Sequence, residues 1–490
     1  MAKKRFYITT TLPYVNARLH IGHALEFVQA DAIARSHKAL GDEVFFNTGT
    51  DEHGQKIYEK ALKEGQDPQA YVDACARDFK EVLNSLDILP EVNFIRTTDA
   101  HHMAAAREFW KRCDKNGDIY KKNYQTKYCV GCELEKTDSE LVGGKCPVHP
   151  NLKLEVREEE NYFFRFSKYQ KPLLELYEKH PDFVVPSHRL TEIKNFVEAG
   201  LQDFSISRLK SKMPWGVPVP GDDDHVMYVW FDALVNYVSA LGWPEDEEKF
   251  EEFWGTKEHP NALQIAGKDN LRQQSAMWQA MLLSAGLPTS RQVIIHGFVN
   301  VNGAKISKSA GNAIDLVEMT GKYGTDAVRF WLLHDMTPFE DGDFTWERFN
   351  ESYNAHLANG LGNFAARVLT LGERLDDGNF SSGDIDPAID KLITDTREKV
   401  AAHIETYAWN EAVTAVWNLI AFGDKYVNEH KPWENFDGRA VWGLVVILDN
   451  VAAMLEPFLP GTAQKLTAAI SWEGKKLKIE KPAILFPRVK

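Results

Sequence analysis

The chain has 490 residues, enough on a prior of roughly 150 residues per domain for about three domains with a core that needs no disulfide staples. Hydrophobic residues make up 44% and charged residues 26% of it, which excludes a disordered or membrane-embedded chain. Lys and Arg total 57 against 71 Asp and Glu, and the net charge of −14 excludes nucleic-acid binding driven by overall charge, so any RNA contact has to be local.

The start, Met1 to Arg5 followed by Phe6-Tyr7-Ile8, lacks the long apolar stretch and cleavage site of a secretory signal. No run of about 18 apolar residues follows, so a cytoplasmic protein without a membrane partner is expected. Arg5–Thr10 reads as a strand, Pro13 to Asn16 as a turn, Ile21 to Lys38 as an amphipathic helix and Val44–Asn47 as the next strand, one βαβ unit. A second set of units follows Val226–Trp230, with strands at Leu263–Ala266 and Gln292–His296 and helical stretches at Asp232–Leu241 and Leu271–Ala285.

The predicted fold class is therefore α/β, a Rossmann-like doubly wound parallel sheet in two halves, residues 1–116 and 222–348. Between them, residues 117–221 carry a cysteine cluster and a Pro-rich stretch and read as an inserted domain. From Phe349 the strand pattern gives way to long amphipathic segments broken at Pro387, Lys431-Pro432 and Pro457–Gly461, which predicts an all-α helical bundle within 349–490. That bundle ends near residue 470 with a short basic tail, from which a monomer is expected.

Three groups of residues carry chemistry. His20-Ile21-Gly22-His23 falls at the first βα turn, where helix N–H groups and the dipole favour an anion, and two imidazoles there can stabilise charge growing on a phosphate. Gly22 offers no side chain to block a ligand. Asn302 to Asn312 is a polar, glycine-containing loop whose Lys305 and Lys308 can reach a triphosphate. Five cysteines are present, and Cys129-x-x-Cys132, thirteen residues, then Cys146-x-x-His149 provide three thiolates and an imidazole at the spacing of a tetrahedral, structural zinc knuckle. Cys75 and Cys113 stand apart and read as buried small hydrophobes.

With these motifs the sequence resembles the class I aminoacyl-tRNA synthetases, whose two signatures it carries at His20–His23 and Lys305–Ser309, with Ile306 in place of the usual Met. Within that class it is similar to the methionyl-tRNA synthetases along essentially its whole length. The blocks Thr11 to Asn16, Gly49 to Gly54, Tyr228 to Ala233 and Gly267-Lys268-Asp269 follow in the same order.

The resemblance implies that His20, His23 and Lys308, with Lys305, stabilise the transition state of adenylation. It implies that Gly22, Gly267, Asp269, Lys305, Ser307 and Lys308 bind Mg-ATP. Asp51 would pair with the substrate ammonium, and Leu12, Tyr14, Trp230, Ala233 and Tyr237 would wall the methionine side chain, a thioether that gains from aromatic contact. Where the family commonly has an apolar residue and a histidine, the chain has Asn270 and Gln274, and Gln274 is expected to hydrogen-bond the thioether or a pocket tyrosine. Asn363, Arg367 and Trp433 would read the anticodon of tRNA(Met), since unpaired bases stack on aromatics and hydrogen-bond to Asn and Arg.

Three other readings compete. A sister synthetase for another apolar amino acid would need an editing domain, for which an insertion of about 105 residues holding a zinc knuckle leaves little room. A nucleotidyltransferase with an HxGH turn would lack the lysine loop and the bundle. An RNA-binding paralogue that lost catalysis would carry damaged signatures.

Overall fold

The computed structural model describes residues 3–132, 134–136, 141–306, 313–375, 385–473 and 476–489. Its centre is a six-stranded sheet in the spatial order Asn93–Arg96, Glu43–Thr50, Arg5–Thr9, Ala262–Gly267, Gln292–His296, Val184–Val185. Every neighbouring pair is parallel. Such a sheet has both faces covered, and its side chains divide accordingly. Phe6 and Ile8 enter one apolar core, while Tyr7 between them enters another.

The first helix, Ile21–Ala39, is not amphipathic as its sequence suggests: residues 24–36 are all buried. Its polar positions are paired instead of solvated. Asp31 takes Arg35 at 2.8 Å and Arg329 at 2.7 Å, and the fully buried Arg329 also donates to the carbonyl oxygens of Leu86, Pro457 and Phe458. One guanidinium thus ties this helix to the turn between two helices of the C-terminal bundle. Asp326 fixes the same region by accepting from the backbone and hydroxyl of Thr462.

Residues 117–221 do not stand wholly apart from the sheet. A four-stranded antiparallel sheet is built from Leu134–Lys136, Ile119–Cys129, Glu155–Phe164 and Phe204–Ser205. The helices Gln170–Lys179 and Ser187–Glu198 then carry the chain back, and Val184–Val185 between them forms the edge strand of the central sheet. Leu173, Ile193 and Val197 share a core with Tyr7, Ala266 and Ile295.

Val226 and Met227 belong to the strand Asp222–Met227, which pairs with Ser207–Leu209 and Pro218–Val219 in a small antiparallel sheet apart from the central one. The chain turns helical at Val229, over Val229–Ala233 and Asn236–Ser239, because this apolar run lies buried against the second core rather than along a sheet edge.

The bundle comprises Trp346–Ser352, Tyr353–Gly362 and Asn363–Gly372 in continuous succession, then Pro387–Glu405, Trp409–His430, Gly438–Leu455 and Pro460–Ala469. The middle stretch, Tyr353–Gly362, is wound as a π-helix. Among the described residues one helix, Gly438–Leu455, is long and apolar enough to cross a membrane, yet 72% of it is buried, as the central helix of a bundle should be. The tail is not a free extension. Ile470–Glu473 and Lys476–Ile479 pair as a hairpin, and Tyr353 and Asn354 hydrogen-bond the carbonyl oxygens of Pro487 and Val489.

Candidate active site and metal knuckle

The site forms at the carboxyl ends of the strands Arg5–Thr9 and Ala262–Gly267, the crevice where open α/β sheets bind ligands. A cavity of about 410 Å³ lies there. Leu12, Tyr14, His20, Gly22, His23, Asp51, Trp230, Ala233, Tyr237, Gly267, Asp269, Gln274 and Lys305 all line it. Ser307 and Lys308 lie outside the described residues.

The two histidines are set by the helix start itself. His20 is the N-cap residue of Ile21–Ala39, with extended backbone, and its Nδ1 accepts from the Gly22 N–H at 3.2 Å. The His20 N–H in turn donates to Nδ1 of His23 at 3.2 Å, so the turn closes as a capping box made of two imidazoles. Because both Nδ1 atoms accept backbone protons, each neutral ring carries its proton on Nε2, away from the backbone. Burial pushes His20 down to about 4. Burial also holds His23 well below the ordinary histidine range, with the nearby His20 and His296 adding to the effect. Gly22 gives room to a protein group here: a Cβ at that position would stand 3.1 Å from the His20 ring.

Two residues that sequence reasoning missed stand behind this pair. Glu26, one turn beyond His23, accepts from the backbone and hydroxyl of Thr11 at 2.6 Å each and meets Nε2 of His296 at 3.0 Å. Burial opposes a charge on His296, but the hydrogen bond and charge of Glu26 outweigh it and raise its pKa. Nδ1 of His296 lies 2.7 Å from the Gly297 carbonyl oxygen, which leaves both ring nitrogens acting as donors. The Glu26 carboxylate thereby fastens the Thr11 to Tyr14 loop to the end of the strand Gln292–His296. Asp269 is raised by burial in the same crevice.

The walls around Asp51, Trp230 and Ala233 are held by a second buried cluster. Asp232, fully buried, lies 2.6 Å from Nδ1 of His53 and 2.9 Å from Nε2 of His102, whose other nitrogen meets Ser239 at 2.9 Å. Burial alone would raise the Asp232 carboxyl, but the two imidazoles bring it down to about 2. This clasp joins the loop bearing Asp51, the turn bearing Trp230 and Ala233, and the helix Ala100–Lys115. Glu52 adds a further tie, accepting from Arg96 Nε at 2.7 Å while its carbonyl takes the Trp215 indole at 2.7 Å. The residues of both ties except His102, Ser239, Arg96 and Trp215 sit inside the sequence blocks already singled out; their partners are far along the chain, which is why spacing did not find them.

The predicted knuckle is assembled. Ligand atoms of Cys129, Cys132, Cys146 and His149 all lie within 4.8 Å of one another, with Cys132 Sγ 3.3 Å from Cys146 Sγ and 3.1 Å from His149 Nδ1. This spacing suits an ion bound at about 2.3 Å from sulfur. Gly131 makes it possible, since a Cβ there would fall 2.5 Å from the His149 ring. The Gly131 carbonyl accepts from Lys56 Nζ at 3.0 Å, and both Lys56 and Cys132 reach the rim of the cavity.

On the bundle, Arg367 pairs with Asp424 and Asn428 at 2.6 Å each and lies 5.5 Å from the Trp433 ring centroid. Trp433 is 46% exposed, unusual for so large an apolar side chain, and Asn363 is exposed one turn before Arg367 on the same helix.

Residues 6–153 and 148–369 match the family model for class I tRNA synthetases (M), and residues 386–486 match that of the anticodon-binding domain of tRNA ligases. The chain is 40% identical to the methionine–tRNA ligase of Thermotoga maritima, covering 97% of this chain and 76% of that one. With the Nostoc enzyme of the same name identity is 42%, over 95% and 89%. Among solved structures, the methionyl-tRNA synthetase of Mycobacterium tuberculosis in complex with methionyl-adenylate superimposes with a TM-score of 0.91 at 34% identity, over 99% of this chain and all of that one. Its apo form gives 0.83 at 32%, over 100% of this chain and 99% of that one. These likenesses favour neither a sister synthetase nor an unrelated nucleotidyltransferase, and since they run through catalytic region and bundle alike, the chain belongs to the methionyl-tRNA synthetases.

Proposed function

We propose that the cavity joins L-methionine to ATP and passes the product to tRNA(Met). In the first step the methionine carboxylate attacks the α-phosphate of Mg-ATP in line, giving methionyl-adenylate and pyrophosphate. His20 and His23 donate through Nε2–H to the phosphoryl oxygens as charge grows, with Lys308 and, more weakly, Lys305 as point charges. Gly22, Gly267, Asp269 and Ser307 hold the nucleotide, and Asp51 takes the substrate ammonium. Leu12, Tyr14, Trp230, Ala233, Tyr237 and Gln274 surround the side chain. In the second step a terminal ribose hydroxyl of the tRNA attacks the adenylate carbonyl and AMP leaves.

Zinc at Cys129, Cys132, Cys146 and His149 has the structural task of closing the knuckle beside the cavity. Asn363, Arg367 and Trp433 read the anticodon, supported by the exposed indole and the guanidinium at its side. The reading extends to a monomer acting in the cytoplasm, with domains at 1–116 and 222–348, 117–221 and 349–490; a concentration-independent dimer in sedimentation velocity would refute the monomer.

The observation that carries the proposal is the pair of imidazoles whose Nδ1 atoms are tied to the backbone in a cavity also lined by Asp51, Trp230 and Tyr237. Its test is amino-acid-dependent ATP–pyrophosphate exchange across all twenty amino acids, beside Lys308→Ala. Exchange with methionine that collapses in the variant is expected; a preference for leucine or isoleucine would reject the substrate.

A further inference from the structure

The knuckle and the cavity share a wall at one residue. Among the described residues, Cys132 alone of the four knuckle ligands lines the cavity, where Tyr14, Asp51 and Lys56 are also found. Cys129 and Cys146 are fully buried, whereas Cys132 is partly exposed. The carbonyl of its neighbour Gly131 accepts from Lys56 Nζ at 3.0 Å, which fastens this strip of the knuckle to the rim. Behind it, the sulfur of Cys146 stands 3.3 Å from that of Cys132. A second sulfur is thus in place beside the one that faces the cavity.

Two properties decide how a cysteine meets an oxidant. A sulfur that ligates zinc is held as the thiolate, the nucleophilic form, and susceptibility follows thiolate character together with exposure. The three knuckle cysteines share the first property when zinc is bound, and Cys132 alone of them has the second. The remaining cysteines have less of either: burial pushes the Cys75 thiol up, and Cys113 is wholly buried.

We propose that Cys132 is a peroxide-sensitive site at which the knuckle is unlocked, and that a ligand filling the cavity shields it. The Cys132 thiolate attacks one oxygen of hydrogen peroxide. The O–O bond breaks, hydroxide leaves and takes up a proton to become water, and Cys132 carries a sulfenic acid. The Cys146 thiolate then attacks the Cys132 sulfur, the S–O bond breaks, and a second hydroxide leaves and takes up a second proton. Two electrons pass from the two sulfurs to peroxide, leaving one disulfide and two waters. Cys129 and His149 remain, too few donors for a closed tetrahedral site, and the ion is released. An idle cavity therefore loses its knuckle wall to peroxide, while an occupied one keeps it. What occupies the cavity rests on the functional reading above; the chemistry at Cys132 does not.

The test treats the unaltered, zinc-loaded chain with hydrogen peroxide, following zinc release with a chromophoric chelator and the cysteines by peptide mass mapping. Release should rise in step with a Cys132–Cys146 disulfide, and dimedone added early should mark Cys132. Methionyl-sulfamoyl adenosine, a non-hydrolysable analogue of the adenylate whose binding calorimetry checks, should slow release by roughly 3- to 10-fold. Cys132→His retains a tetrahedral set of two thiolates and two imidazoles, and should hold zinc in peroxide that strips the unaltered chain. Should that variant not take up zinc, the order of dimedone labelling in the unaltered chain decides. Dimedone on Cys129 or Cys146 ahead of Cys132, zinc loss without the Cys132–Cys146 disulfide, or release at the same rate with the analogue bound overturns this inference alone. An analogue that does not bind overturns the functional reading and the shielding with it, whereas the disulfide would still support the site at Cys132.

Discussion

Replacement of Asp232 offers the sharpest check on how the pocket is held. The carboxylate has no exposed surface and its two oxygens serve two different imidazoles, on His53 and His102. Asp232→Ala strands both rings in the interior, and removing one partner of such a buried cluster costs about 3–5 kcal/mol. Asp232→Asn should cost much less, about 1–2 kcal/mol. The amide oxygen can still accept from His53, while its N–H can donate to His102 if that ring moves its proton to the nitrogen beside Ser239, whose hydroxyl can accept it. The pH dependence has a defined sign. The folded pKa of about 2 lies below the ordinary 3.8, so the clasp contributes stability above pH 4, about 2 kcal/mol on this shift, and loses it as pH falls from 4 toward 2. Urea unfolding followed by tryptophan fluorescence reports on it, since Trp110, Trp243, Trp254 and Trp278 share the core beside the clasp. A midpoint for Asp232→Ala within experimental scatter of the unaltered chain, or an Asn variant as damaged as the Ala one, would refute the reasoning.

His20→Ala should reduce kcat for pyrophosphate exchange by about 10²- to 10³-fold. Because the His20 pKa in the free protein is about 4, its protonation should leave no inflection in kcat/KM between pH 5 and 8, which a pH–rate profile checks. Gly131→Ala should weaken zinc by about 10- to 100-fold in competition with a chromophoric chelator, because its methyl group displaces the His149 ring. Arg329→Ala leaves buried carbonyls of the bundle turn without their donor and should destabilise by about 3 kcal/mol, with limited proteolysis then cutting between catalytic region and bundle. Trp433→Ala should raise the KM for tRNA in aminoacylation by about 5- to 150-fold, the worth of one stacked base.

Much of the site was legible because its residues are local. A histidine at an N-cap and another three positions on can only face the same turn of helix, and two C-x-x-C/H pairs carry the ligand spacing of a tetrahedral metal knuckle. The buried hydrogen bonds that link Gln274 through Gln264 and Gln279 to Ser290 were not legible, because Gln264, Gln279 and Ser290 come from a strand, a helix and a loop and look in sequence like ordinary polar positions. The same holds for Glu26 and His296, which are 270 residues apart and 3.0 Å apart in space. A polar residue inside a helix reads as a solvated face unless its partner is known, and for that reason Ile21–Ala39 read as amphipathic while being buried on all sides.

The sequence by itself determined the parallel sheet, the turn of paired histidines, the knuckle and the helical bundle, since each depends on hydrophobic period or on residues spaced within a few positions. Only the tertiary structure decided which polar side chains are structural ties and which line the cavity. It also decided that Val184–Val185 closes the edge of the sheet and that Val226 and Met227 belong to another sheet. The physical reason is common to all of these. Strand pairing and buried charge are settled by which surfaces meet after the chain has folded back on itself, and nothing in a residue's own neighbourhood records that meeting.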